Sequence, residues 1–437
     1  MKSAPQQKYR YLTLLFTFFI LAGSLIGIVT PAGLGWDFAN FYDTGRRAAA
    51  GQVQDIYLPE TEINGQPPQG KMQFWGTPIS AMFYVPLSYF SARTASIMFK
   101  IENTLAIFVT LLLLYFYNRQ FIPNDRIAQA KFGALFSFLA LIYQPFWTVY
   151  RVGGQTTPTV MLLLTIGFLA YVANKNFSAA LMAALAILIK PAMVWIVVVL
   201  ALVSGRDFFK YLMINLMVLG VLSLLVMGWE IHLEFLQRML KGLSKSFPWF
   251  YNSSLYVTFD NFRVLYHAGD LSGWQQLILK ILQGILKLSV VASIGYFILQ
   301  ARKFNWQTTA RRHFHFLIAL SFFFLFSQTI WEHYLSILFI VLIYLTIISL
   351  NNNRDATILI GAIFFFSLGQ NLILINLLRR HFEFATVPKL LLAGLFKSAP
   401  LILLYIFWWK FRKHIYQAYH SPVWHSQSQD KKPNSQN

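Results

Sequence analysis

The chain is written in long apolar runs separated by short polar or basic stretches. Runs fall at 11–29, 97–117, 132–150, 156–173, 211–228, 277–299, 314–330, 335–350, 356–376 and 388–409. A helix that crosses the hydrocarbon core of a bilayer needs ~20 apolar residues, and these runs have that length. They lack the short alternating segments of a membrane β-barrel. One stretch, 177–203, is apolar but interrupted by Lys190-Pro191. Proline removes a helical hydrogen bond and clashes with the preceding turn, so this stretch is one kinked helix or two half-spans meeting at Lys190. The pattern predicts an all-α integral membrane protein with about 12 transmembrane helices (11–13).

Loop charges favour two half-spans. Cytoplasmic loops collect Lys and Arg, and the half-span arrangement puts Arg302, Lys303, Arg311, Arg312 and the basic C-terminal tail inside. Both termini then face the cytoplasm, and the first run, 11–29, reads as an uncleaved span. Residues 1–420 form a single transmembrane domain with two long outer segments, 30–96 and 229–276. Both segments are rich in aromatic side chains, which prefer the headgroup level, so interfacial helices are expected on the outer face. The polar tail, 421–437, has the composition of a disordered cytoplasmic segment.

Composition narrows the class. Of 437 residues 57% are hydrophobic and only 12% charged, against roughly 25% charged in soluble domains, which excludes an ordinary soluble enzyme. The balance of 36 Lys+Arg against 16 Asp+Glu leaves a net charge of +20. Because the basic residues sit in loops between spans, orientation and anionic headgroups account for it, and no nucleic-acid partner is implied. The chain has no cysteine, which excludes thiolate metal sites and a cysteine nucleophile. It also contains neither an Asp-x-Asp triplet nor a His-Glu-x-x-His motif, so no metal and no cofactor are expected.

The most informative segment is Gly35-Trp36-Asp37-Phe38-Ala39-Asn40-Phe41-Tyr42-Asp43-Thr44-Gly45-Arg46-Arg47. Its aromatic spacing predicts a short amphipathic helix ending at Gly51, with Asp37 at the N-terminus just after the first span. Asp is a preferred helix cap, and a capped carboxylate stays ionised and fixed in direction. Asp43, almost two turns further on, reads as a surface residue.

Asp37-Phe38 through Phe41-Tyr42 to Gly45-Arg46, then Gly51-Gln52 to Tyr57, and Tyr84-Val85-Pro86-Leu87 together resemble glycosyltransferase family 87. Gly154-Gln155, Lys190-Pro191, Asn252-x-Ser254-Leu255 and Trp331-Glu332-His333-Tyr334 follow in the same order, so the resemblance spans roughly residues 10 to 350. The chain departs from the family pattern at Thr157, where asparagine is frequent, and at Glu332, where aspartate is. The resemblance implies a GT-C-like helical bundle and an α-mannosyltransferase that uses a polyprenyl-phosphate-mannose donor. It makes Asp37 the candidate catalytic residue and Tyr42, Gln155, Lys190, Asn252, Ser254 and His333 candidate substrate-binding residues.

The chemistry of such a transfer suits these residue types. Glycosyl transfer passes through an oxocarbenium-like transition state, and charge builds on the departing lipid phosphate, so cationic donors must already point at it. Lys190 and His333 fit that need, with Arg151, Arg379 and Arg380 as further cations. The acceptor hydroxyl must lose its proton to a fixed base, the role expected of Asp37. Direct attack inverts the anomeric centre, whereas retention needs a second close carboxylate. Trp36, Tyr42 and Trp75 could stack on sugar faces. The expected function is transfer of a hexose, mannose by the resemblance, from a lipid-linked sugar donor to a glycolipid or glycan acceptor at the outer leaflet of a bacterial inner membrane, on its periplasmic or extracellular side, among membrane lipids. The competing readings are a lipid-linked glycan flippase and an O-antigen ligase or polymerase. A transporter would favour paired broken helices in two repeated halves, and this chain has one such break and no internal repeat.

Overall fold

The computed structural model describes residues 4–30, 36–59, 73–151, 153–243, 252–267, 272–350, 354–368 and 387–419. The side chains of Trp36 and Arg151, Arg379 and Arg380, and the tail 421–437 lie outside the described residues. The described residues are helical, with no strand among them. The helices used below are α1 (Ala4–Val29), α2 (Trp36–Ala49), α3 (Ala92–Arg119), α4 (Arg126–Ile142), α5 (Thr157–Val172), α6 (Asn176–Ile189), α7 (Val194–Val203), α8 (Arg206–Met227), α9 (Trp229–Leu243), α10 (Val257–His267), α11 (Gly273–Ala301), α12 (Thr308–Phe326), α13 (Leu335–Leu350), α14 (Arg354–Leu368) and α15 (Val387–Ala418).

Among the described residues, 6 helices are long and apolar enough to cross a membrane, or 7 if α4 and the segment Gln144–Tyr150, bent by 55°, form one span. This is an all-α membrane protein. Six or seven of the about twelve crossings read from the sequence are found among the described residues. The runs at 156–173 and 177–203 become helices of 16, 14 and 10 residues, each shorter than the ~20 residues of a full crossing. Lys190 separates α6 from a short 3₁₀ turn, Pro191–Met193, with an extended backbone (φ −140°, ψ 91°).

The chain divides into two compact units. The first comprises Met1–Gly167, Phe177–Val194 and Phe208–Lys245; the second comprises Phe168–Asn176, Trp195–Asp207 and Ser246–Asn437.

In the first unit α1 packs along α4 and the segment after it. Lipid chains are as apolar as leucine, so close helix approach depends on small residues, and α1 supplies Gly23 and Gly27. A Cβ at Gly27 would stand 2.6 Å from the Tyr150 ring, and one at Gly23 2.9 Å from Trp147. The C-terminal end of α1 is closed by α3: the Lys100 ammonium donates to the carbonyls of Gly27 (3.4 Å) and Thr30 (3.0 Å). These belong to the last turn of α1, whose carbonyls have no partner within the helix.

Beyond that boundary α2 is held in an aromatic core of Phe38, Tyr42, Tyr57, Phe74, Tyr84 and Phe99. Phe41 stacks on Tyr84 with ring centres 4.9 Å apart. Burial pushes the Tyr84 phenol well above the ordinary range, with the charge of Glu102 adding to it. The Tyr57 phenol rises for the same reason, with Glu234 adding and Arg238 opposing, so its hydroxyl remains a donor, here to the Gly76 carbonyl (3.0 Å). Asp43 is buried, not on the surface, and pairs with Arg47 at 2.8 Å. The helical turn on which Asp43 stands points to the surface in the sequence, but the arginine four residues on draws it inward. Arg47 also donates to the carbonyls of Asp55, Leu58 and Pro59, closing the loop after α2.

Helix α9 is amphipathic. Trp229, Leu233, Leu236 and Leu240 are exposed along one stripe, while Phe235 and Arg238 lie against Tyr57 on the other face. In the second unit α12 and α13 form the buried centre, with α14, α15, α10 and α11 packed in sequence around them.

Candidate active site

Asp37 stands in the first turn of α2, where the helix dipole favours a carboxylate. It is half-buried. Its Oδ2 accepts a hydrogen bond from Nε2 of Gln155 at 2.8 Å. The other end of that amide is fixed by three donors: Oε1 accepts from the Thr156 backbone N–H (2.7 Å), the Thr156 hydroxyl (3.0 Å) and the Lys190 ammonium (3.3 Å). An amide whose oxygen is surrounded by donors can turn only its NH₂ toward the remaining partner. Gln155 is therefore locked with its donors facing Asp37.

Lys190, 8% exposed, donates most closely to Thr157 Oγ1 (2.6 Å); burial pushes its amine down to about 7, with the nearby Asp37 carboxylate opposing the shift. The end of α6 that presents Lys190 is itself anchored, because the Thr77 hydroxyl donates to the Leu188 carbonyl at 2.7 Å. The structure thus brings together Asp37, Gln155 and Lys190 from three separate parts of the first unit.

The loop before α5 needs glycine to reach this geometry. Gly153 and Gly154 have φ of +78° and +120°, a region that favours glycine, and a Cβ at Gly154 would strike the Phe99 ring. Asn103, absent from the residues singled out in the sequence, accepts the Gln155 backbone N–H through Oδ1 at 2.7 Å. Beside it Glu102 accepts from Asn103 Nδ2 (2.5 Å) and Thr159 Oγ1 (2.7 Å). Both stand inside an apolar run, and polar or ionisable groups there are costly and mark function by default, which is the signal that could have found them.

Tyr42 is buried in the α2 core with its hydroxyl donating to the Phe90 carbonyl at 2.7 Å. In the second unit Asn252 uses its full hydrogen-bonding capacity. Its Oδ1 accepts from the N–H groups of Ser254 (2.9 Å) and Ile330 (3.0 Å), and Nδ2 donates to Asp260 (3.2 Å) and the Gln328 carbonyl (3.0 Å). Ser254 Oγ accepts from the Tyr256 N–H at 3.2 Å. These bonds, with Ser253 N–H to the Ile330 carbonyl (2.8 Å), fasten the stretch of chain leading to the 3₁₀ turn Glu332–Tyr334, on which His333 sits 9% exposed.

Residues 74–328 match the sequence model of glycosyltransferase family 87, more than half of the chain. The chain belongs to glycosyltransferase family 87. It is accordingly a membrane glycosyltransferase. The matched segment of the family 87 chain includes Gln155, Lys190, Asn252 and Ser254, while Asp37 precedes it and His333 follows it. No curated protein matches the chain significantly.

Proposed function

We propose that this family 87 glycosyltransferase moves a hexose, mannose in our reading, from a polyprenyl-phosphate donor to a hydroxyl of a glycolipid or membrane glycan, with inversion. The observation that supports this most is the carboxylate of Asp37, aimed by Gln155, whose amide oxygen takes the buried Lys190. The acceptor hydroxyl gives its proton to Asp37 as its oxygen bonds to the anomeric carbon, and the bond from that carbon to the phosphate oxygen breaks. The polyprenyl phosphate leaves with the bonding pair. Lys190 is assigned to the phosphate that gathers negative charge. Asn252 and Ser254 serve by holding the chain that carries His333, and Tyr42 by holding α2. The topology is of about twelve spans with the site at the outer face of a bacterial inner membrane, the tail of the donor reaching it from the bilayer. No metal takes part.

The test is transfer by the purified protein from polyprenyl-phosphate β-mannose to a glycolipid extract in the presence of EDTA. An α-linked product is expected. A β-linked product, dependence on a divalent ion, or movement of the intact lipid-linked sugar without transfer would contradict the reading.

A further inference from the structure

The loop 153–155 is gripped by one face of α3. Ser96 Oγ donates to the Gly153 carbonyl (3.2 Å), Phe99 covers Gly154, and Asn103 Oδ1 accepts the Gln155 N–H. Positions 96, 99 and 103 are spaced to share a helix face, so three successive turns hold three successive loop residues. The contact at Asn103 fixes the backbone of the residue that addresses Asp37.

Asn103 alone could turn its amide either way. Glu102 removes that freedom, because its carboxylate accepts from Asn103 Nδ2 and leaves Oδ1 to face the Gln155 N–H. The same logic operates again one link on, where Thr156 and Lys190 orient the Gln155 side chain. The second oxygen of Glu102 is occupied by the Thr159 hydroxyl at the start of α5, which ties the acid to the helix that Gln155 leads into. A half-buried carboxylate inside a span is expensive, and a purely structural link could be made with neutral groups. We propose that Glu102 and Asn103 are positioning residues for Asp37, acting through Gln155. This rests on the role of Asp37 given above.

The experiment compares Glu102→Ala, Glu102→Gln, Asn103→Ala, Thr159→Val, Gln155→Leu and Asp37→Asn in the full chain, with polyprenyl-phosphate mannose as donor. The amide introduced by Glu102→Gln can still present an oxygen to Asn103 and an NH₂ to Thr159, so this variant is expected to retain kcat within a few-fold. Glu102→Ala and Asn103→Ala are expected to lose kcat on the order of 100-fold, as for a catalytic group displaced by about 1 Å, with KM for the donor little changed. A carboxylate that loses a hydrogen-bond donor becomes more basic. The acid limb of the kcat profile should therefore move to higher pH in both alanine variants, as in Gln155→Leu, and stay in place in Glu102→Gln. Thr159→Val is near-isosteric and reads the same link should Glu102→Ala fail to fold; about tenfold loss of kcat, the worth of one hydrogen bond to a charged group, is expected with the same shift. Normal kcat in the alanine variants while Asp37→Asn is inactive overturns this proposal alone, as does a loss of kcat with the acid limb unmoved. Full activity of Asp37→Asn overturns the underlying reading instead.

Discussion

Gln155 carries no charge, yet it separates two charged groups and presents a different end to each. Its oxygen takes Lys190 and Thr156, and its NH₂ takes Asp37. The arrangement holds the carboxylate in a fixed direction without pairing it face to face with the Lys190 amine, which would lower its basicity. Gln155→Glu replaces the donor by a second acid and leaves Asp37 facing a like charge. That change raises the pKa of a carboxylate, so the acid limb of the rate profile is expected to move upward and kcat at neutral pH to fall on the order of 100-fold. A pH series of single-turnover rates measures both. An unmoved limb would show that the amide does not touch the working carboxylate.

At the scale of elements, the site is assembled from the start of α2, the glycine turn before α5 and the break after α6. The turn is the most demanding of the three. Gly154 combines a φ of +120° with a position against Phe99, so an alanine there is strained in backbone and in space together. Strain of this kind costs about 1–3 kcal/mol. Gly154→Ala is expected to lower the melting temperature in detergent and to reduce transfer in the fraction that remains folded, because Gln155 is the next residue. Unchanged melting and activity would contradict the placement of this turn. These three elements are legible in the sequence because each is a departure from an apolar run: an acid just outside a span, a Gly-Gln pair at the head of one, and a Lys-Pro pair inside one. Glu102 and Asn103 are less visible, since the run 97–117 reads as a span with or without them. Asp43 is misleading in the sequence because its burial depends on Arg47 and on a loop that closes over it, neither of which the periodicity of α2 reveals. The short helices on either side of Lys190 and Asn174, of 10 to 16 residues, are legible in part, since the Lys-Pro break inside 177–203 marks two half-spans. Asn174, with φ of 64°, ends the first of them.

For the whole molecule, a membrane helix bundle leaves little water and few free donors near a carboxylate, so any acid kept at the C-terminal end of α1 needs a built environment. Lys100 closes that helix end, the aromatic core around α2 shields one side, and the network from Glu102 to Lys190 supplies the polar partners. The second unit gives comparable structure to the segment before His333, where Asn252 uses every hydrogen bond available to it. The most direct test is sugar transfer by Asp37→Asn, measured together with binding of polyprenyl-phosphate mannose to the same purified variant. The account predicts normal donor binding with transfer reduced by about 10²–10⁴-fold, the contribution of a general base; transfer at the unmodified rate would contradict it.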